Sequence, residues 1–239
     1  MEYEEIHENV AGPGFENEEL DVIFEGCECE AECTAASSCS CLMYKVDNYG
    51  QEKRLENTSL PILECHANCS CNEWINPCQN RVIRTTNSLD LQVIDFKGKG
   101  KGVLTKRMIP KATFVAEYAG ELLGKEEVER RAAHYKGDNY TLTVKEHFGD
   151  RISTTFIDPR LKGKISRFIN HSCEPNLDIF IVRTGCMAPS IGLFASRDIS
   201  PNEELSYNYG ESKTPSGILC LCGSKVCRGQ LPASQSASD

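Results

Sequence analysis

The sequence contains no long apolar run and no excess of positive charge. No stretch approaches the ~20 consecutive apolar residues that a membrane-spanning helix needs. The acidic start, MEYEEIHENV, has neither the basic nor the apolar region of a secretory signal peptide. We therefore expect an intracellular protein that does not act at a membrane and whose thiols stay reduced.

Negative charge exceeds positive charge, with 35 Asp and Glu against 26 Lys and Arg and a net charge of −9. This balance argues against sequence-specific binding to duplex DNA through phosphate neutralisation. An acidic surface suits a basic partner, although it can equally serve solubility alone.

The sequence also lacks internal repeats and sustained helical periodicity. Short runs with strand-like patterning are separated by turn residues, which predicts a mainly β fold with short helices. The best helix candidate is 124–136, where Val128, Ala132 and Tyr135 fall on one face. The small, polar tail at 233–239 is expected to be disordered. The predicted strands lie within 81–96, 103–110, 113–123, 139–144, 153–158, 177–183 and 191–196.

Cysteine, in contrast, is abundant, with 14 residues in the chain. Three lie between 220 and 227, and only Cys173 and Cys186 lie between them and an N-terminal group. That group follows the spacing C-x-C-x3-C-x5-C-x-C and then C-x3-C-x-C-x6-C. Its nine members are Cys27, Cys29, Cys33, Cys39, Cys41, Cys65, Cys69, Cys71 and Cys78.

Zinc explains the N-terminal group better than disulfides do. The cysteines of a C-x-C pair point apart in an extended chain, and an odd number leaves one thiol over. Zn²⁺ takes four sulfurs, so three ions need twelve bonds, which six terminal and three bridging thiolates supply. We expect a structural cluster of three zinc ions. Two separate four-thiolate sites with a spare cysteine, or a disulfide scaffold, are the alternatives.

The C-terminal group, Cys220, Cys222 and Cys227, makes an incomplete zinc site. Its fourth ligand has to come from elsewhere, and Cys173, Cys186 and the histidines are the candidates. We favour Cys173, because its surroundings are polar and contain a proline, as in a docking loop. An open catalytic zinc is the alternative.

Two further motifs admit simpler interpretations. His171 and Cys173 could form the dyad of a thiol hydrolase, but such dyads are normally assembled from distant segments. KGKGKGV at 97–103 lacks the Lys-Ser or Lys-Thr of a phosphate-binding loop, and its spacing alone is typical of a solvated basic turn.

Together these motifs resemble those of a known family. A nine-cysteine segment, a β-rich domain with EYAGEL, RFINHSCEPN and EELSYNYG, and a final C-x-C-x4-C resemble the pre-SET, SET and post-SET arrangement of histone lysine methyltransferases of the suppressor-of-variegation class. The resemblance implies a SET-domain fold, a β-clip with a knot-like crossing of its C-terminal motifs. The implied domains are an acidic segment (1–22), pre-SET (23–84), SET (85–212), post-SET (213–232) and the tail (233–239).

The resemblance also implies the activity and its setting. The family transfers a methyl group from S-adenosylmethionine to a lysine nitrogen of a histone H3 tail, in the nucleus and on chromosomes. We expect a chromatin-associated monomer. Nine-cysteine relatives favour lysine nine of the histone, whereas other relatives favour lysine thirty-six or four.

Three tyrosines are the catalytic candidates. Tyr207 and Tyr209 lie two apart, hence on one face of an extended segment, where hydroxyls can line a channel; plain core tyrosines are the alternative. The resemblance makes Tyr209 the catalytic tyrosine and Tyr207 the residue that limits the number of methyl groups. A tyrosine there implies mono- or dimethylation. Tyr140 matches a tyrosine that contacts both the cofactor and the lysine channel.

The resemblance also implies the cofactor site. Asn170 and His171 match the pair that binds the cofactor, and Arg167 is expected to reach its carboxylate or a neighbouring acid. The 97–103 turn matches a cofactor loop with glycines that allow close backbone approach. The cofactor-binding candidates are Lys99, Gly100, Lys101, Gly102, Tyr140, Arg167, Asn170 and His171.

Three positions depart from the family pattern. Lys101 replaces a tryptophan of the cofactor loop, Leu104 a frequent arginine, and Asn208 the usual aspartate between the tyrosines. Lys101 therefore favours an alternative function, a catalytically inactive, zinc-stabilised chromatin-binding module. Retention of the three tyrosines, Asn170 and His171 favours the enzyme.

Overall fold

The computed structural model describes residues 3–21, 23–73, 78–85, 88–135, 140–210 and 215–233. These residues are mostly arranged in short β-strands, which confirms the predicted mainly β class. No helix among them is long and apolar enough to cross a membrane. The strands are β1 Glu4–Glu5, β2 Val10–Ala11, β3 Ile62–Leu63, β4 Leu91–Phe96, β5 Gly100–Thr105, β6 Phe114–Tyr118, β7 Gly120–Leu123, β8 Leu142–Phe148, β9 Arg151–Gly163, β10 Asn170–His171, β11 Leu177–Arg183, β12 Ser190–Ala195, β13 Ser206–Tyr207, β14 Pro215–Leu219 and β15 Gln230–Pro232. The helices are α1 Lys125–His134 and 3₁₀ turns at Asn17–Leu20, Gln51–Lys53, Ser70–Glu73 and Ile165–Phe168.

One sheet has the strand order β1-β9-β7-β2, with β8 also paired to β9. β7 and β9 are antiparallel, and Leu122 of β7 lies opposite Ile157 of β9, both fully buried. β1 and β2 are parallel to their partners and occupy the two ends of this order. The acidic N-terminal residues therefore pack directly against the β-rich domain.

A second sheet has the order β10-β13-β11-β12-β6. Its strands β6 and β12 are buried along their whole length, which explains why FVAEY and SIGLFA are mostly apolar rather than alternating. At the other end, β10 pairs with β13 in parallel, so that His171 lies beside Tyr207. Two motifs far apart in the chain thus meet side by side, as the predicted C-terminal crossing requires.

The cysteine-rich segment has little regular structure and its own core. The nine cysteines pack around one another together with Leu42. β3, which lies within this segment, adds to β11 of the second sheet. The fully buried Glu64 follows it, and its Oε1 accepts hydrogen bonds from the Tyr49 hydroxyl at 2.5 Å and from the Val82 amide at 3.0 Å. Burial raises the pKa of Glu64 to about 7.

Two local expectations are corrected. The predicted strand at the start of 81–96 does not form, because the amides of Val82 and Ile83 bond to the Glu64 carboxylate instead of a neighbouring strand. The predicted helix forms, but Ala132 is exposed and Arg131 is the buried residue. Ion pairs, rather than an apolar stripe, therefore hold α1 to the sheet. The tail predicted to be disordered, 233–239, lies outside the described residues except for residue 233.

Candidate active site

Tyr207 and Tyr209 lie next to each other at the C-terminal crossing. Tyr207 is buried on β13, Tyr209 is 39% exposed, and their ring centroids are 4.8 Å apart. The Tyr209 hydroxyl donates a hydrogen bond to the Ile169 carbonyl at 2.9 Å. One tyrosine of the pair therefore lies inside the protein, and the other lies at its surface.

Tyr118 completes this group, and the sequence analysis missed it. Its hydroxyl donates to the Tyr140 carbonyl at 2.5 Å. Its ring meets that of Tyr207 edge-on, with ring centroids 6.0 Å apart. Burial raises the pKa of both hydroxyls, so both are neutral donors. The signal was a tyrosine ending the apolar run FVAEY within the EYAGEL motif.

His171 connects the tyrosines to the C-terminal cysteines. Its Nδ1 accepts a hydrogen bond from the Tyr209 amide at 3.2 Å, and its Nε2 lies 3.4 Å from Cys173 Sγ. Burial lowers the pKa of His171, with Arg228 as a second cause. A neutral ring that accepts at Nδ1 carries its proton on Nε2, directed at the sulfur.

Asn170 connects the same crossing to the glycine-rich hairpin formed by β4 and β5. Its Nδ2 donates to the Lys101 carbonyl at 3.2 Å and to Glu204 Oε1 at 2.9 Å. A Cβ atom on Gly102 would lie 2.7 Å from this Nδ2 and 2.6 Å from the Phe96 ring. Glycine is therefore required at 102 for the hairpin to approach Asn170 this closely.

The remaining hairpin candidates differ in their surroundings. Gly100 has φ +75°, and a Cβ atom added to it would meet no other atom within 4 Å, so one side of the loop is open. The Lys99 ammonium pairs with Glu204. Lys101 lies 5.4 Å over the Phe168 ring, and no carboxylate of the described residues lies within 4.0 Å of its ammonium.

Arg167 contacts the rings of both Phe168 and Tyr140. The Arg167 guanidinium is 4.6 Å from the Tyr140 ring centroid and 5.0 Å from that of Phe168. The residue is 4% exposed, and its Nε has no hydrogen-bond partner among the described residues. A neighbouring acid was one of the two partners expected for Arg167, and none is found among the described residues.

Asn208, which departs from the family pattern, has a local role. Its Oδ1 accepts a hydrogen bond from the Gly210 amide at 3.0 Å, as an aspartate there could also do. The substitution therefore preserves the turn that follows Tyr209.

The N-terminal thiols are arranged as overlapping groups. Cys27 belongs to three sets of four cysteines whose Sγ atoms all lie within 4.8 Å of one another. The sulfurs of Cys27 and Cys33 are 3.7 Å apart, and those of Cys39 and Cys65 are 4.0 Å apart. All 14 cysteines are free, so no disulfide forms. The three sets are Cys27, Cys39, Cys41 and Cys65; Cys27, Cys29, Cys33 and Cys39; and Cys27, Cys33, Cys65 and Cys71.

The C-terminal thiols form a single group of four that includes Cys173. Its Sγ lies within 4.8 Å of those of Cys220, Cys222 and Cys227. Cys186, the other candidate, is buried in the core of the β-rich domain, where its thiol donates to the Ala188 carbonyl at 3.6 Å.

Both thiol groups fit zinc. Four sulfurs about 2.3 Å from a tetrahedral ion lie about 3.8 Å from one another, which matches the sulfur spacings of 3.5–4.0 Å given by Cys41–Cys69 and Cys27–Cys65. Burial, together with Cys39, raises the pKa of Cys29 to about 11, so its thiolate requires a compensating cation. His66, which the sequence analysis did not consider here, also lies within 4.8 Å of Cys41 and Cys69.

The cofactor candidates fit an amino-acid-bearing nucleoside in two respects. The open side of Gly100 leaves room against the hairpin backbone, and Arg167 offers a buried cation without a carboxylate among the described residues. The Asn170 amide contacts the hairpin at the Lys101 carbonyl, and the His171 ring contacts that of Tyr209.

Comparisons with known proteins agree with this geometry. Residues 100–210 match the family model of the SET domain, and residues 2–81 match that of the Pre-SET motif. Over 239 residues the chain is 46% identical to the probable histone-lysine N-methyltransferase set-23 of Caenorhabditis briggsae, a match that covers 99% of both chains.

Solved structures share the fold. The methyltransferase domain of human histone-lysine N-methyltransferase SETMAR has a TM-score of 0.86 and 36% identity, over 98% of this chain and 90% of that one. KRYPTONITE in complex with mCHH DNA, H3(1-15) peptide and SAH has a TM-score of 0.74 and 29% identity, over 96% of this chain and 47% of that one.

Three stretches had predicted a particular likeness to SETMAR, also called Metnase. They are NVAGPG at 9–14, EYAGELLGKEEVERR at 117–131 and ELSYNYG at 204–210. The match to its methyltransferase domain confirms this likeness and the SET fold. The chain therefore belongs to the histone-lysine N-methyltransferases with pre-SET and SET domains, enzymes that use S-adenosylmethionine as the methyl donor.

Proposed function

We propose that this enzyme methylates a lysine of the histone H3 tail and stops at the mono- or dimethyl product. The observation that carries the proposal is the packing of the buried Tyr118 and Tyr207 rings against each other beside the half-exposed Tyr209. The solved KRYPTONITE complex with an H3(1-15) peptide supports a histone tail as substrate. The net charge of −9 favours encounter with a basic peptide.

The tyrosines are proposed to prepare the lysine amine. Free lysine has a pKa of about 10.4, and only its neutral form can accept a methyl group. A narrow, dry channel lined by neutral hydroxyls disfavours the ammonium and orients the amine lone pair. Tyr209 is proposed to contact the amine, since its oxygen can still accept a hydrogen bond while its proton is held by Ile169.

Tyr207 is proposed to limit the product. Its buried ring packs edge-on against that of Tyr118, which fixes the position of its hydroxyl oxygen. A fixed hydroxyl occupies the volume that a third methyl group would need. Mono- or dimethylation follows from this restriction.

The cofactor is proposed to lie between the glycine hairpin and the C-terminal crossing. S-adenosylmethionine supplies the methyl group on a sulfonium; the protein supplies binding and alignment. Asn170 and His171 hold it between the hairpin and the tyrosines, and Arg167 receives its carboxylate. The hairpin contributes the backbone of Lys99, Gly100, Lys101 and Gly102. The Tyr140 ring packs against the Arg167 guanidinium.

The thiols are proposed to hold four zinc ions. The three four-cysteine sets overlap, since Cys27 belongs to all three and Cys33, Cys39 and Cys65 belong to two each. Overlap of this kind is expected where thiolates bridge ions, and it supports a cluster of three ions on the nine cysteines. The fourth ion is assigned to Cys173, Cys220, Cys222 and Cys227. These closed sulfur sites serve structure rather than catalysis.

We further propose that the enzyme acts as a monomer on nuclear chromatin, without sequence-specific DNA binding of its own, and that its domains follow the boundaries predicted above. The names of the histone-lysine N-methyltransferases that it resembles support a chromosomal role.

An array of H3 tail peptides, incubated with the purified chain and methyl-labelled S-adenosylmethionine, tests the substrate. We expect label on one peptide, lost when a single lysine is replaced by arginine, and mass spectrometry should show one or two methyl groups. Labelling of no H3 peptide by a chain that binds the cofactor would instead favour the inactive binding module suggested by Lys101. A trimethyl product would refute the proposed limit.

A further inference from the structure

The N-terminal segment, residues 3–11, is held against the β-rich domain by main-chain and side-chain bonds. β1 pairs with β9 in parallel, and the Ile6 amide donates to the Gly163 carbonyl at 3.0 Å. The buried Asn9 donates through Nδ2 to the Pro189 carbonyl and accepts from the Gly120 amide. These contacts place Tyr3, immediately before β1, at a defined position.

Tyr3 contacts the candidate cofactor site. Its ring centroid lies 4.6 Å from the Arg167 guanidinium carbon and 5.7 Å from the Phe168 ring, which it meets edge-on at 71°. Arg167 is thus surrounded by three aromatic rings, those of Tyr3, Tyr140 and Phe168, at 4.6, 4.6 and 5.0 Å. Tyr3 is the only one of the three that comes from the N-terminal segment.

Contacts with ring faces fix a guanidinium without using its N–H donors. Nη2 of Arg167 donates to the Arg160 carbonyl at 3.3 Å, and Nε has no hydrogen-bond partner among the described residues. The Lys101 ammonium also lies over the Phe168 ring, 5.4 Å from its centroid. Two cations therefore meet at one ring, and no described carboxylate lies within 4.0 Å of either. The buried Arg167 guanidinium therefore lacks a carboxylate partner among the described residues, and a bound anion would supply one.

We propose that Tyr3 is a positioning residue for cofactor binding, through which the N-terminal segment holds Arg167 at the carboxylate of S-adenosylmethionine. The inference rests on the proposed cofactor site and assigns a role in it to a segment outside the SET domain. Docking of residues 3–11 and binding of the carboxylate are then coupled, because the same guanidinium takes part in both.

Calorimetric titration of the full chain with two ligands tests this role. One ligand is S-adenosylmethionine, and the other is decarboxylated S-adenosylmethionine, which lacks only the carboxylate. Tyr3→Ala should weaken binding of the first about three- to tenfold, the range of a partly buried cation–π contact. It should change binding of the second less than about twofold. Tyr3→Phe, which keeps the ring, should restore normal affinity.

The controls separate this inference from its alternatives. Tyr44→Ala removes a half-exposed tyrosine of the cysteine-rich segment and should leave both affinities unchanged. Equal loss for both ligands in Tyr3→Ala would assign Tyr3 a general structural role and overturn the inference, as would no loss for either. A native chain that binds neither ligand would refute the proposed cofactor site itself, and the inference with it.

Discussion

The Sγ atoms of Cys173 and Cys220 lie 3.9 Å apart although 47 residues separate them in the chain. Cys173 is also 3.4 Å from the His171 ring, whose other nitrogen accepts the Tyr209 amide. The C-terminal cysteines are thereby connected to Tyr209 through His171. Folding of the C-terminal segment and order at the active site are expected to depend on each other.

Replacement of Cys173 tests the shared metal site. Metal analysis of the native protein should give about four zinc ions per chain, and Cys173→Ser should contain about one fewer, because three thiolates hold zinc less tightly than four. Cys186→Ser is the matched control, since this thiol is bonded to a carbonyl away from both groups. Equal zinc content in the native and Cys173→Ser proteins would contradict the assignment.

Tyr209→Phe should reduce methyl transfer about a hundredfold or more, since misalignment of a reacting group costs this much. Binding of S-adenosylmethionine should stay within about twofold of native, because the lost hydroxyl donates its hydrogen bond to the Ile169 carbonyl. Labelled-methyl transfer and calorimetry measure the two effects, with Tyr44→Phe as control. Loss of cofactor binding would show that Tyr209 has a different role.

Tyr118→Phe should change the number of methyl groups added. The substitution removes the hydroxyl of the ring that packs edge-on against Tyr207, so the channel gains volume. Mass spectrometry of the product peptide should show a shift towards trimethylation, and Tyr207→Phe should produce the same shift. An unchanged product distribution in both variants would show that Tyr118 and Tyr207 do not control the number of methyl groups added.

Gly102→Ala should weaken cofactor binding about tenfold, because its Cβ would displace Asn170 Nδ2 and the Phe96 ring by several tenths of an ångström. Gly149→Ala is a suitable control, since it introduces backbone strain at φ +61° with no atom within 4 Å of the new Cβ. Calorimetric titration with S-adenosylmethionine compares them. Equal affinity in the two variants would place the cofactor away from the hairpin.

Arg131→Met should lower the free energy of unfolding by about 3–5 kcal/mol, because it leaves the buried Asp158 and Glu121 without their cation. Arg130→Met, next to it on α1, should cost less than about 1 kcal/mol, since this side chain is 64% exposed. Urea denaturation at pH 7 measures both. Similar values for the two variants would refute the role assigned to the buried ion pairs.

Much of the architecture was predictable from local patterns. Apolar runs such as FVAEY become buried strands wherever they fall, because burying their side chains from water is favourable in any sheet. The spacing of apolar residues also predicted the helix at 125–134, but it did not predict which face of the helix is buried. Arg131 is buried because its guanidinium donates hydrogen bonds to Asp158 of β9 and Glu121 of β7. Both carboxylates lie on strands outside the helix.

The cysteine pattern by itself determined that the chain holds two groups of thiols suited to metal, and the motifs by themselves indicated the methyltransferase family. Tertiary structure decided which residues meet. It brought Cys173 to the C-terminal thiols, Tyr118 to Tyr207 and Tyr3 to Arg167. Spacing along a chain describes neighbours within one element, whereas contacts across a strand crossing depend on how distant elements pack, and no local pattern encodes that.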